Sequence, residues 1–158
     1  MKILMMGKTM STAAEPASLA PTPSERFADA LALRYDTRAC GGLLHNQLDV
    51  SFYEAMAMSV GLSTKKLFSV LGVSPTVQRR WKKAQRLTIG ESDYAFRQAL
   101  VFQDALGLFE GSREAAMDWL TQPSISLSGA TPASLLSTFV GVKTVEALIW
   151  KIENGVYQ

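Results

Sequence analysis

Seven basic residues and no acidic one lie between Ala55 and Gly90, although the whole chain carries a formal net charge of only +2. They are Lys65, Lys66, Arg79, Arg80, Lys82, Lys83 and Arg86. The remaining nine basic and fourteen acidic residues sum to −5. A solvated helix face normally mixes both signs, so this separation indicates a binding site for a polyanion in one part of the chain.

The same stretch has the pattern of a helix-turn-helix. Ser63 is a suitable N-cap for a first helix, and Gly72 can form a sharp turn after it. Ser74-Pro75 then supplies the cap and the first-turn proline of a second helix. The basic residues therefore lie on two short helices that pack against each other.

The residue types on these two helices favour double-stranded DNA as the polyanion. Val77, Trp81 and Ala84 recur at spacings of four and three and are expected to face the core. Short polar side chains and glutamine can read base edges, whereas arginine and lysine bind guanine or phosphate. The predicted DNA-binding residues are Lys65, Lys66, Ser74, Thr76, Gln78, Arg79, Arg80, Lys82 and Lys83. The alternative is a helix-turn-helix that serves assembly alone.

Residues that could perform catalysis or hold a metal are few. His45 is the only histidine and Cys40 the only cysteine. We expect His45 to be satisfied or solvent-facing, and Cys40 to be a small buried or loop residue rather than a nucleophile. The acidic residues are dispersed and no glycine-rich phosphate loop occurs. The sequence therefore predicts no catalytic residue, no metal and no cofactor, and the protein is not expected to be an enzyme.

The single cysteine also excludes an internal disulfide framework and suits a reducing cytoplasm. No apolar run reaches the roughly 18 residues that a transmembrane helix needs. A cytoplasmic protein without a membrane partner is expected.

The elements that position these residues are expected to be helices throughout, which predicts an all-α fold. Residues 9–24 are rich in Pro, Ser, Thr and Ala, so that residues 1–24 are predicted to form a flexible arm. Ser24 then caps a helix that begins near Glu25, and Cys40-Gly-Gly42 is expected to break the pattern of that helix. Capping boxes are predicted at Ser51 with Glu54 and at Thr88 with Glu91.

The character of the sequence changes after Glu110-Gly111, and this change predicts a domain boundary, with an amino-terminal domain at 25–110 and a carboxyl-terminal domain at 111–158. Gly141 is expected to turn the chain into a last amphipathic helix, which stops at Gly155. Only Val156, Tyr157 and Gln158 follow. A short tail with an aromatic ring and a carboxylate is typical of a projecting plug.

The carboxyl-terminal part contains three motifs, Trp119-Leu-x-x-Pro123, Gly129-x-Thr-Pro132 and Glu153-x-Gly-Val-Tyr157, with Gly141 between the last two. Together these motifs resemble the toxin-binding domain of Xre/MbcA/ParS antitoxins. The upstream helix-turn-helix fits the Xre-like half of the same family, so the resemblance extends from about Leu48 to Gln158. It departs at Ser128-Gly129, where the family often has two glycines, and this affects loop geometry alone.

The resemblance implies an Xre-like helix-turn-helix domain followed by a small helical toxin-binding domain. The implied partner is a RES-domain toxin that degrades NAD, whose active site the carboxyl end of the antitoxin occludes. The implied toxin-binding residues are Trp150, Glu153, Asn154, Gly155, Val156, Tyr157 and Gln158. The family also implies a homodimer within a hetero-oligomeric complex that represses its own promoter. The alternative is a stand-alone transcriptional regulator with a carboxyl-terminal dimerisation or sensor domain.

Overall fold

The computed structural model describes the backbone of residues 23–156 and the side chains of residues 25–156. Within that range the fold is all-α, as the sequence predicts. The helices are α1 Pro23–Ala32, α2 Thr37–His45, α3 Ser51–Ser59, α4 Thr64–Leu71, α5 Pro75–Ala84, α6 Ile89–Leu108, α7 Arg113–Thr121, α8 Pro132–Leu135 and α9 Phe139–Glu153. The predictions for the arm over residues 1–22 and for Tyr157 and Gln158 lie outside the described residues.

The helix starts that depend on local capping agree with the sequence. The side chains of Ser63 and Ser74 accept hydrogen bonds from backbone N–H groups of α4 and α5, and Thr88 with Glu91 forms the predicted capping box of α6. Ser112 and Thr131 cap α7 and α8 in the same way. These side chains satisfy backbone donors that have no partner inside their own helix.

Three predictions in the first half of the chain are wrong. Helix α1 begins at Pro23, so Ser24 lies inside it, and α2 runs without a break through Cys40-Gly-Gly42. The Ser51–Glu54 capping box is absent, because the N-cap of α3 is Val50 and not Ser51, and the backbone of Val50 is already helical. The carboxylate of Asp49 accepts from the N–H of Ser51 at 2.8 Å instead.

The last helix also starts differently from its prediction. Helix α9 begins at Phe139, and the side chain of its cap, Thr138, accepts from the N–H of Gly141 at 3.0 Å. Gly141 is therefore inside the first turn, where a Cβ atom would lie 1.8 Å from the carbonyl oxygen of Leu135. Glycine is needed here because α9 approaches the end of α8 closely, not because the chain turns.

Helix α6 lies at the centre of the molecule. It packs against α2, α3, α7 and α9, and buries Phe96, Val101 and Phe102 along its length. One continuous cluster of buried side chains extends from Phe27 on α1 to Ile149 on α9. Helix α6 thus contacts helices from both the amino-terminal and the carboxyl-terminal half of the chain. The domain division after residue 110 stays a prediction.

Candidate functional site

Helix α5 is held in place by an aromatic cluster. The indole of Trp81, only 5% exposed, stacks on the ring of Tyr53 with a centroid separation of 5.0 Å and an interplanar angle of 18°. Phe68 of α4 contacts both rings. The predicted core position of Trp81 is confirmed, whereas Ala84, also predicted to face the core, is exposed. Because Trp81 anchors α5 to α3 and α4, the opposite side of α5 faces solvent.

The predicted DNA-binding residues lie on α4, on the turn after it and on α5. Of these residues Gln78 is half-buried and the others are exposed. Gly72 has the left-handed conformation that the predicted turn requires, with φ +67°. The structure thus brings a group of cations together on a surface that the aromatic cluster orients.

The polar side chains on this surface are not equally available to a ligand. The amide nitrogen of Gln78 donates to the carbonyl oxygen of Val73 at 2.8 Å, which fixes that side chain against the turn. The guanidinium of Arg79 donates to Oγ1 of Thr76 at 3.4 Å, an exposed and long contact that a phosphate could replace. Gln78 therefore contributes to the shape of the turn, whereas Arg79 can reorient towards DNA.

Arg80 forms an ion pair with Glu91 at the start of α6. Burial alone would raise the pKa of Glu91, but hydrogen bonds from Arg80 and from the backbone N–H of Thr88, together with the nearby indole N–H of Trp81, lower the pKa to about 2. The buried Nε1 of Trp81 makes no hydrogen bond of good geometry within the described residues. Glu91 therefore stays charged at neutral pH and competes with any phosphate for Arg80.

The carboxyl-terminal end of α9 is closed by a Schellman motif. The N–H of Gly155 donates to the carbonyl oxygen of Ile152 at 3.2 Å, and that of Val156 donates to the carbonyl oxygen of Lys151 at 2.9 Å. Gly155 has φ +64°, the left-handed conformation expected from the sequence. These two bonds fix the direction in which the chain leaves the helix at Val156.

Most of the predicted toxin-binding residues surround this end. Trp150 is 58% exposed, and Glu153, Asn154, Gly155 and Val156 are also exposed. The amide of Asn154 donates to the carbonyl oxygen of Trp150 at 2.8 Å and so helps to close the last turn. An exposed tryptophan beside an ordered chain reversal is the kind of group that anchors protein interfaces.

The structure also places apolar residues on the surface that, apart from Val156, the sequence did not single out as functional. A groove of about 640 Å³ runs along the solvent side of α9. We call it the α9 groove and define it by Val140, Lys143, Ala147, Lys151, Ile152 and Val156. Residues 140, 143, 147, 151 and 156 recur every three to five residues, and this spacing was available as a signal, because it marks one helix face offset from the buried stripe.

Neither the cysteine nor the histidine has a setting that suggests chemistry. Cys40 is half-buried, and burial raises the pKa of its thiol, while His45 is exposed. Over residues 23–156 no three side chains of His, Cys, Asp or Glu are grouped to hold a metal ion. In the same range we found no helix with both the length and the apolar character required to cross a bilayer.

The sequence is similar to a known protein family and to several known proteins. Residues 105–155 match the family model of the antitoxin Xre/MbcA/ParS carboxyl-terminal toxin-binding domain. The chain is 36% identical over 80 residues to a protein named Antitoxin Xre from Pseudomonas putida, an alignment that covers 51% of this chain and 50% of the relative. Proteins of the same name from Photorhabdus laumondii and Yersinia enterocolitica are 35% and 34% identical, over 49% and 53% of this chain and 53% and 57% of theirs.

The chain thus aligns with about half the length of these curated relatives. The matched segment contains the end of α6, all of α7, α8 and α9, and the Schellman turn. Residues 105–155 of this chain are thus similar to the toxin-binding domains of Xre/MbcA/ParS antitoxins.

Proposed function

We propose that this protein is an antitoxin, in which α9 and the chain after it bind a toxin while α4 and α5 bind DNA. The observation that carries the proposal is the ordered end of α9 within a matched toxin-binding domain. The Schellman bonds at Gly155 and Val156 fix the direction in which the backbone leaves the helix axis at Val156. A toxin that contacts Gly155 and Val156 would meet a backbone that is already ordered, which costs less conformational freedom on binding than a frayed end would.

The toxin is proposed to be a RES-domain protein that degrades NAD, as the family resemblance implies. Val156, Tyr157 and Gln158 would enter its active site, with Trp150, Glu153 and Asn154 contacting the rim. The exposure of Trp150 and the direction of the chain at Val156 support this arrangement. In this proposal the antitoxin performs no reaction itself and acts in the cytoplasm by excluding NAD from the toxin.

The DNA is proposed to be the promoter of the protein's own operon, bound by a homodimer within the toxin complex. The exposed cations on α4 and α5 and the absence of acidic residues between Ala55 and Gly90 support DNA as the ligand. Two symmetry-related α5 helices would require half-sites about one helical turn, roughly 34 Å, apart. The resulting complex would repress transcription.

A truncation that keeps the Schellman motif tests the neutralising role. Ending the chain after Val156 removes Tyr157 and Gln158 but retains both cap hydrogen bonds, so the fold should be unchanged. When co-expressed with the RES-domain toxin of the same operon, the full chain should preserve growth and cellular NAD, and the truncated chain should preserve neither. Arg38→Ala, at an exposed position on α2, is the matched control and should neutralise fully.

Growth with the truncated chain equal to growth with the full chain would contradict the plug. If the full chain neither binds the toxin nor preserves NAD, yet binds its promoter, the stand-alone transcriptional regulator is the better account. Co-purification of the two proteins followed by an NAD assay separates these outcomes.

A further inference from the structure

The α9 groove is an apolar surface that no described part of the chain covers. Val140 is 72% and Val156 44% exposed, and Ala147 is exposed between them. Leu148 closes the floor of the groove and is itself buried in the helix packing. Exposed valine and alanine side chains in line along one helix are what an amphipathic partner segment can cover.

The charged side chains that line the groove have a single sign. Lys143 and Lys151 line it at positions two turns apart, and no carboxylate is among its lining residues. Lys143 makes an exposed ion pair with Glu146 at 3.5 Å, which is worth little in water. No ion pair within the described segment involves Lys151. A partner with carboxylates on either side of an apolar strip would complement this surface.

The groove is continuous with the end of α9. Val156 both lines the groove and donates the terminal Schellman bond to Lys151. The chain therefore continues into residues 157 and 158 from a point at the end of the groove. A toxin that receives those residues in its active site must also lie beside the groove, so both surfaces face the same partner.

We propose that the α9 groove binds an acidic amphipathic segment of the toxin. Apolar side chains of that segment pack on Val140, Ala147 and Ile152, and its carboxylates pair with Lys143 and Lys151. This inference rests on the proposed antitoxin function and assigns different roles to the α9 groove and to the residues after Val156. The groove supplies most of the affinity, whereas the residues after Val156 supply the inhibition.

Charge reversal on the groove tests the proposal with the full chain. The probe is the RES-domain toxin of the same operon, purified as an inactive active-site variant, with binding measured by calorimetry. Lys143→Glu with Lys151→Glu should raise Kd about tenfold or more and reduce its salt dependence. The milder Lys143→Gln with Lys151→Gln should raise Kd by a smaller factor and guards against a folding defect.

The matched control reverses two cations away from the groove. Arg26→Glu with Arg38→Glu makes the same change in net charge, and both residues are exposed near helix starts outside the matched domain, where a carboxylate is tolerated. This variant should bind within about twofold of the unmodified chain, since exposed charges outside an interface contribute little. The chain ended after Val156 should keep most of its affinity while losing inhibition.

The outcomes distinguish failure of the groove proposal from failure of the proposed antitoxin function. If the unmodified chain binds and inhibits the toxin but both lysine variants bind equally well, the groove proposal is overturned and the antitoxin function stands. If the variants instead shift the protein from dimer to monomer in light scattering and leave toxin affinity unchanged, the occupant is a second copy of this chain. If the unmodified chain does not bind the toxin, the proposed function itself fails.

Discussion

The side-chain amide of Gln98 on α6 donates to the carbonyl oxygen of Leu136 at 2.9 Å, in the connection between α8 and α9. Its oxygen accepts from the hydroxyl of Tyr53 at 2.9 Å, and Tyr53 stacks on Trp81 of α5. Gln98 is only 2% exposed. One buried residue therefore connects the helix proposed to bind DNA with the helices of the matched toxin-binding domain.

Replacing Gln98 with methionine keeps the approximate volume but removes both hydrogen bonds. The hydroxyl of Tyr53 would then be buried without an acceptor, and the carbonyl oxygen of Leu136 would keep only the bond from Tyr94 at 2.7 Å. We expect the free energy of unfolding to fall by about 2–3 kcal/mol, the cost of an unsatisfied buried polar group and a missing hydrogen bond. Urea denaturation followed by circular dichroism measures it.

Gln103→Met is the control on the same helix. Gln103 is exposed and accepts only a long bond of 3.5 Å from Arg34. Its replacement should change stability by less than about 0.5 kcal/mol. Equal effects of the two substitutions would contradict a structural role for the buried amide.

Gly141→Ala should be strongly destabilising, although alanine is ordinarily the better helix former. The new Cβ would lie 1.8 Å from the carbonyl oxygen of Leu135, and backbone atoms cannot move aside as a flexible side chain can. We expect a loss of about 2–4 kcal/mol, because α9 must shift away from α8. Thermal unfolding of the variant provides the measurement.

Gly107→Ala separates this close approach from helix propensity. Gly107 lies inside α6, and a Cβ atom there would meet nothing within 4 Å. This substitution should stabilise the protein by about 0.5–1 kcal/mol. A stabilising effect at both positions would show that α9 tolerates a side chain at residue 141.

The sequence predicts well the features that a few adjacent residues determine. Ser63, Ser74 and Thr88 cap their helices as expected, since an N-cap needs only a side chain and the N–H two or three residues later. Gly155 is left-handed for the same local reason. The starts of α4, α5 and α6 and the turn between α4 and α5 could therefore be derived without knowing the packing.

The features that depend on packing could not be derived this way. Arg80 pairs with Glu91, eleven residues along, only because the start of α6 lies against α5. Cys40-Gly-Gly42 stays helical at the expense of about 1 kcal/mol per glycine, which tertiary contacts of α2 with α6 offset. The α9 groove was missed because an exposed apolar face and a buried one have the same helical period.

The Arg80–Glu91 pair predicts how stability depends on pH. The pKa of Glu91 is lowered to about 2 from an ordinary 4.5. A lowered pKa stabilises the folded state above the ordinary value, and this stabilisation is lost as pH falls from 4.5 towards 2. Glu91→Gln should therefore lower Tm at pH 7, and the difference from the unmodified protein should shrink through that window.

Arg80→Gln removes the same pair from the other side. Its effect on Tm should also decline as the pH falls below 4.5, and the two substitutions together should lower Tm by less than the sum of the separate effects. Curves of Tm against pH that run parallel for all variants would show that the pair does not stabilise the fold.

DNA binding should depend unequally on the arginines of α5, because one of them is already paired. Arg79→Ala with Lys82→Ala should weaken binding to the operon promoter and reduce the slope of log K against log salt by about 0.9 for each phosphate that is no longer neutralised. Arg80→Ala should weaken binding less, since Glu91 already competes for that guanidinium. Glu91→Gln should tighten DNA binding, because the substitution releases Arg80 and removes a carboxylate from the edge of the cationic surface.

Gel shifts at several salt concentrations, with Arg38→Ala as the control, measure all these variants. An unchanged slope for the Arg79 and Lys82 variant would exclude this face of α5 as the phosphate-binding surface, and loss of binding in Glu91→Gln would show that the pair orients α5 rather than sequestering Arg80.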